Sequence, residues 1–223
     1  MHFLTSTAKG TIKRLFPPQT EAVILPIADY TSELSPEEFK IIEATSNKRQ
    51  QEFSTGRMCA KIALAAIDVH DISILTGDNR EPIWPDSIIG SISHCRDLAG
   101  AVVSSSPQIS SIGFDVENIK PLKNDISRII CTEKEKNLIK EQNDYPYETI
   151  VLLHFSIKEA VFKCIYAESH IRIGFKDQQL FRDSSTKQIE VKLDPTKTNA
   201  KVNLHYEITS THIFTCAWIN KAD

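Results

Sequence analysis

The strongest constraint on this chain lies at residues 148–167. There Ile150, His154, Ile157, Val161 and Ile165 recur at intervals of three and four, while Ser156, Glu159 and Lys163 fall on the opposite side. That period defines an amphipathic helix with one apolar stripe turned to a core. Upstream, Ser35 followed by Pro36, Glu37 and Glu38 opens another helical region: a capping hydroxyl, a proline at the first helical position and acids in the first turn. That region runs to about residue 67, with a break near Ser46 and Asn47. Strand-like stretches are predicted at residues 21–28, 72–75, 88–94, 99–105 and 111–117, and period-two alternation continues at 189–193, 202–208 and 212–219 as an antiparallel meander. Residues 118–143 read as a polar surface loop with a short helix. Strand, helices and strands thus occur twice in succession. The expected fold is α+β, built of two similar halves at residues 1–105 and 106–223.

Composition narrows what such a fold can do. A formal charge of -3 and a pI near 6.2 lack the surplus of Lys and Arg that general nucleic-acid binding requires. The seven glycines are too scattered for a glycine-rich phosphate loop, so any phosphate must be held by side chains. No apolar run is long enough to span a bilayer; the best, residues 60–67, is short and contains Lys61. Lys9, Lys13 and Arg14 are followed by Pro17 and Pro18 without an apolar segment, which does not read as a secretory signal, so a cytoplasmic location is expected. The five cysteines, Cys59, Cys95, Cys131, Cys164 and Cys216, are odd in number and evenly spread, and they read as reduced packing residues.

Two groups of residues carry chemistry. In GFDVE a strand turns Asp115 and Glu117 to one face and Phe114 and Val116 to the other, with the acids' Cα atoms about 6.6 Å apart. Such a pair can converge on a hard cation such as magnesium, which takes oxygen ligands, or it can be the solvent face of an edge strand. In FSIKEAVFK, Glu159 and Lys163 are neighbours on the helix. They form either a surface ion pair worth roughly 0.2 to 0.5 kcal/mol or a further metal ligand and a phosphate grip, with Lys158 beside them. Lys48, Arg49 and Arg57 surround Phe53 on the first helical region, where Gly56 leaves room for close approach to the backbone. Arginine forks suit phosphate oxygens, and a solvated helix face is the plainer account. Arg80 lies in a turn, and Ser93 and His94 end a strand from which they can reach a cleft, His94 as a donor to phosphate.

In order, KRQQEFSTGRMCAKIAL, GDNREPIWP, GSISHC, IGFDVE and FSIKEAVFK resemble the 4'-phosphopantetheinyl transferases, particularly the enterobactin synthetase component D type. The matching segments run through residues 48–163; the last 55 or so residues add only a compatible strand pattern. The resemblance implies a pseudo-dimer of two α+β halves with coenzyme A in the cleft between them. It implies that Asp115, Glu117 and Glu159 hold Mg2+ against the coenzyme A pyrophosphate. Arg49, Arg57, Arg80 and His94 would hold the nucleotide end and its phosphates, with Ser93 as a weaker contact, and Lys158 and Lys163 would reach the pyrophosphate. Lys48 stands where the family often has arginine, which keeps the charge and loses the fork. Ser156 stands where other members have cysteine or alanine, and the sequence gives that difference no meaning.

The implied reaction is attack of a carrier-protein serine on the β-phosphate of coenzyme A, releasing adenosine 3',5'-bisphosphate, with Glu159 or a metal-bound water as the base and Lys163 supporting the leaving phosphate. The implied partner is an apo acyl- or peptidyl-carrier protein, serving siderophore or other nonribosomal peptide synthesis, with the enzyme a monomer. The resemblance implies that such carriers are acidic. Lys120, Lys123, Arg128, Lys134, Lys136 and Lys140 outnumber Asp125, Glu133, Glu135 and Glu141 in the stretch expected to meet them. Two other readings use the same cleft: a non-catalytic protein that binds coenzyme A or a carrier, and a magnesium-dependent phosphohydrolase in which water replaces the serine.

Overall fold

A computed structural model describes residues 15–120, 125–183 and 188–221. The first half contains strand β1 (Thr20–Pro26), helices α1 (Pro36–Ile42) and α2 (Asn47–Ala65), and the hairpin β2 (Ile89–His94) and β3 (Leu98–Ser104). The second half contains β4 (Ile109–Asn118), α3 (Ser127–Ile130), α4 (Glu133–Glu141), α5 (Tyr147–Ser169), the pair β5 (Gln178–Arg182) and β6 (Ile189–Leu193), and the hairpin β7 (Asn203–Ile208) and β8 (His212–Asn220). The sheets run β1-β3-β2 and β4-β8-β7, all antiparallel. Strand for strand this is one topology used twice: a strand, a long helix laid on the sheet, then a hairpin whose second strand becomes the sheet's centre. The fold is therefore α+β with two similar halves, and the β5–β6 pair is an addition to the second.

Period two explains how the halves join. In β3, Ala101 and Val103 pack with Cys59, Ala60 and Ala63 of α2, while Val102 turns the other way. In β8, Ile213, Ala217 and Ile219 face α5, whereas Phe214 and Cys216 face the first half. Ile24 and Val102 of the first sheet share one core with Phe114, Val116, Phe214 and Cys216 of the second. Both sheets are thus covered on two faces, which is why their strands carry few charges.

Helix ends follow their local chemistry. Ser35 caps α1 in a capping box with Glu38, and Ser46 caps α2 by accepting from the N–H of Arg49. Glu38 is fully buried and does more than cap: its carboxylate accepts from Lys61 Nζ at 2.7 Å and from the N–H of Ile74 at 2.9 Å. This last bond corrects the strand expected at residues 72–75. Ile74 gives its N–H to the Glu38 side chain, so no ladder bond forms there, and the Leu75 carbonyl is shared between the N–H of Ile83 at 3.0 Å and Arg57 at 3.3 Å. Only an isolated bridge between Thr76 and Pro82 forms there.

The second half holds two further corrections. Residues 125–141 are more ordered than a surface loop: Thr132 and Glu135 close a capping box on α4, and Glu135 and Ile139 are buried. Ile189–Leu193 leaves the expected meander and pairs instead with Gln178–Arg182, a strand the sequence did not reveal. Lys123 lies outside the described residues. All five cysteines are free and buried, and among the described residues no helix is long and apolar enough to cross a membrane.

The α5 helix sits unusually close to β4. A Cβ on Gly113 would fall 1.9 Å from the carbonyl oxygen of Ala160 and 2.7 Å from the N of Cys164, both backbone atoms. Gly113→Ala should therefore destabilise the fold by at least about 3 kcal/mol, read as a lowered urea midpoint. A second expectation concerns His154, which is 3% exposed with no partner for Nδ1. Burial lowers its pKa from 6.5 to about 4, aided by the charge of Lys158 and opposed by that of Glu135. Between those values the unfolded chain binds more protons than the folded one, so stability falls as pH drops from 6.5 toward 4, by up to about 3 kcal/mol. His154→Leu should flatten that part of a plot of unfolding free energy against pH.

Candidate active site

A cleft of about 700 Å³ opens where α2 and β2 of the first half face β4 and α5 of the second. Its lining includes Arg49, Arg57, Arg80, Ser93, His94, Asp115, Glu117, Glu159 and Lys163. The structure thus brings together every site residue expected from the sequence except Lys158.

Asp115 is the hub. It is 3% exposed, and both of its oxygens are engaged, Oδ2 by a single donor that leaves it a lone pair. Oδ1 accepts from Ser93 Oγ at 2.8 Å and from Lys163 Nζ at 2.8 Å; Oδ2 accepts from Ser156 Oγ at 2.9 Å. Lys163 also donates to the Phe114 carbonyl at 3.0 Å and contacts Ser93 Oγ at 3.0 Å. A buried carboxylate with three charge-matched or hydroxyl partners is held in one orientation. Strand alternation turns Asp115 and Glu117 toward α5, and Glu159 and Lys163, one helical turn apart, face them from that helix.

Glu117 and Glu159 are placed differently. Among the described residues neither makes a side-chain hydrogen bond or ion pair. Burial pushes the Glu117 carboxyl up to about 8, with the negative charges of Asp115 and Glu159 adding to the effect and Lys163 opposing it. Burial also raises Glu159, again with Asp115 adding and Lys163 opposing. Two partly desolvated carboxylates beside a third form a site whose field favours a cation or a proton.

The cationic side is arranged by a residue the sequence did not single out. Glu52 is 9% exposed and lies 3.4 Å from Lys48 Nζ, 3.7 Å from Arg49 Nη1 and 3.9 Å from His94 Nε2. Arg49 Nη1 lies 3.0 Å from His94 Nε2. Burial lowers the pKa of His94, with Arg49 and Lys163 adding and Glu52 opposing, so its neutral ring can accept from Arg49. Arg57 lies over the Phe53 ring at 4.3 Å and donates to Thr76 Oγ1 at 3.1 Å; burial brings its pKa down to about 10. Its Nε has no partner, an orphaned donor in a cleft-lining guanidinium. Arg80 adopts a left-handed backbone, φ 69°, at the tip of its turn. Gly56 gives its space to Ile92, whose Cγ2 would lie 2.9 Å from an added Cβ.

Two expectations change. Lys158 does not reach the cleft: it is fully buried, bonded to Glu135 at 2.8 Å and to the Ile130 carbonyl at 2.7 Å, and so ties α5 to α3 and α4. Its position, four residues after His154 and three before Val161, places it on the apolar stripe, the signal that could have corrected the reading. Ser156, to which the sequence attached no meaning, orients Asp115 and also contacts Thr215 Oγ1 at 3.0 Å.

Comparison with known proteins gives the site its context. Residues 37–104 match the family model described as the 4'-phosphopantetheinyl transferase N-terminal domain, and residues 111–217 match that of the 4'-phosphopantetheinyl transferase superfamily. The chain is 36% identical over 157 residues to the 4'-phosphopantetheinyl transferase PptT of Mycobacterium tuberculosis, covering 68% of this chain and 66% of that one. It is 31% identical over 159 residues to the transferase Svp of Streptomyces mobaraensis, covering 70% and 63%. Enterobactin synthase component D of Escherichia coli K12 is 32% identical over 141 residues, covering 62% and 65%. The chain spans roughly two thirds of the length of these relatives. A solved holo-(acyl-carrier-protein) synthase from Bacillus anthracis, in complex with coenzyme A, superposes on 52% of this chain and 99% of its own with a TM-score of 0.44 and 21% identity.

Proposed function

Because this chain belongs to the 4'-phosphopantetheinyl transferase superfamily, we propose that it is a transferase moving the 4'-phosphopantetheine arm of coenzyme A onto a serine of an apo acyl- or peptidyl-carrier protein. Adenosine 3',5'-bisphosphate is the second product. One observation supports this most: a single cleft joins arginines and a histidine from the first half with two unpaired carboxylates and a lysine from the second. A substrate with a phosphorylated nucleotide at one end and a pyrophosphate at its reacting centre fits that division. Residues 1–105 then supply the nucleotide and phosphate contacts, and residues 106–223 the metal-binding and catalytic groups.

Arg49, with His94 at its fork, and Arg80 at its turn are the exposed donors for terminal phosphate oxygens, and the buried Arg57 adds its positive charge from the cleft wall. The acidic residues suit Mg2+ in donor type: Asp115, Glu117 and Glu159 offer hard oxygens, and two of them have raised pKa values that a cation would relieve. Among the described residues, the only trio of possible ligands with donor atoms within 4.8 Å of one another lies elsewhere, so these three acids would have to draw together around the ion. When bound, Mg2+ supplies charge neutralisation to the pyrophosphate.

Chain residues do the rest. The serine oxygen forms a bond to the β-phosphorus as the bond to the bridging oxygen breaks, and the bisphosphate leaves with that oxygen. Lys163, fixed by Asp115 and the Phe114 carbonyl, stands where negative charge grows on the leaving phosphate. Glu159, whose carboxyl burial raises above its ordinary value, takes the serine proton where Asp115 and Glu117 alone hold the ion, because a carboxylate bound tightly to a cation is not a free base. One chain provides both walls of the cleft, which fits a monomer acting in the cytoplasm on siderophore or other nonribosomal peptide carriers.

The test is intact-mass spectrometry of apo carrier domains incubated with the protein, coenzyme A and magnesium. The expected result is a gain of one phosphopantetheine, with rates lowered roughly 10²-fold or more in Asp115→Ala and Glu159→Ala. Coenzyme A bound with no gain on any carrier would move the assignment to a binding protein, and coenzyme A cleaved without a carrier would make it a phosphohydrolase. The carrier surface has its own test. Arg128, Lys134 and the 66%-exposed Ile129 lie on the segment that Glu135 and Lys158 anchor. Reversing charge with Arg128→Glu and Lys134→Glu should raise the KM for an acidic carrier roughly tenfold and leave kcat near its original value.

A further inference from the structure

Away from the cleft, the turn between β2 and β3 meets the start of β8. Cys95 and Asp97 come from the turn and His212 from the strand, and their donor atoms all lie within 4.8 Å of one another. Cys95 Sγ lies 3.4 Å from Asp97 Oδ1, and His212 Nε2 lies 3.0 Å from the same oxygen. Bonds of about 2.3 Å to sulfur and about 2.0 to 2.2 Å to nitrogen and oxygen, at tetrahedral angles, set neighbouring ligand atoms about 3.4 to 3.6 Å apart. Thiolate, imidazole and carboxylate together suit a borderline ion far better than a hard one.

A second observation concerns protons. Asn118 donates from Nδ2 to Asp97 Oδ1 at 2.6 Å, and the same Nδ2 lies 2.9 Å from His212 Nε2. Nε2 is therefore asked to donate to Asp97 and to accept from Asn118 at once, and a ring nitrogen carries either a proton or a lone pair. Turning the Asn118 amide over removes that conflict and creates two others. It sets an oxygen against the Asp97 carboxylate and ends the 3.0 Å bond from the N–H of Arg96 to Asn118 Oδ1. An ion that accepts lone pairs from Nε2, the carboxylate and the sulfur resolves the conflict. It leaves Asn118 bonded to a ligating carboxylate, and Thr211 Oγ1, 2.9 Å from Nδ1, on the other ring nitrogen of His212.

We propose that Cys95, Asp97 and His212 bind one divalent transition ion of the zinc class, with a fourth position open to water at the exposed side of Asp97. Binding releases the Cys95 proton to solvent as the sulfur–metal bond forms. Because the ligands come from both halves, the ion clamps the turn that follows His94 to the second sheet.

Cobalt(II) is the probe. The chelator-treated full chain is titrated with it in excess Mg2+, which occupies oxygen-rich sites. The expected result is a thiolate-to-cobalt charge-transfer band saturating at about one equivalent per chain, with four-coordinate visible bands. Zinc should abolish the band by competition and raise the melting temperature. Cys95→Ala should lose the charge-transfer band; Asp97→Ala, at a side chain 58% exposed and so safe for the fold, should weaken cobalt binding at least tenfold. Asp115→Asn should leave the band intact. No thiolate band in the wild-type chain, or a band that persists in Cys95→Ala, would overturn the proposal.

Discussion

The contact between Gly113 and the backbone of Ala160 sets the geometry of the second half. Without a side chain at that one strand position, α5 lies directly on β4. The consequence reaches two residues along the strand and about one turn along the helix. Asp115 meets Lys163 and Ser156, and Glu117 and Glu159 face one cleft. A helix displaced by the width of a methyl group would carry Ser156 and Lys163 beyond hydrogen-bonding reach of Asp115, because those bonds are already 2.8 to 2.9 Å long. Packing and chemistry are here one constraint.

That constraint also explains why the three acids behave differently. Asp115 is the most buried and is hydrogen-bonded from three directions, so the position of its carboxylate is a fixed part of the fold. Glu117 and Glu159, nearer the opening, inherit its repulsion without its partners, and their pKa values rise. Opposite them, Glu52 does the reverse for the cations, drawing Lys48 and Arg49 toward one carboxylate, with the His94 ring beside Arg49. The cleft is prepared by opposite charges on its two walls.

Much of this was legible in the sequence because it rests on local periodicity. D-x-E in a strand fixes a shared face, and Glu159 and Lys163 at one-turn spacing fix another, whatever the fold around them. The doubled order of elements was legible for the same reason. What stayed hidden depends on partners far along the chain. Ile74 looks like part of a strand until Glu38, thirty-six residues away, takes its N–H. The β5–β6 pairing, which takes Ile189–Leu193 out of the meander, is set by tertiary context that no window of sequence contains.

Lys158 shows the limit best. Beside Glu159 it reads as one more cation at the site, yet each residue turns a helix by about 100°, which carries it onto the apolar stripe. Burying an ammonium there is tolerable only with a carboxylate waiting, and Glu135 is that carboxylate, itself buried and bonded to the N–H of Leu180. The ion pair therefore joins α4, α5 and β5, so a segment that is mostly charged on its outer side is held rigidly beside the cleft. A segment ordered in advance by a buried ion pair has less conformational entropy left to lose than a loose loop would.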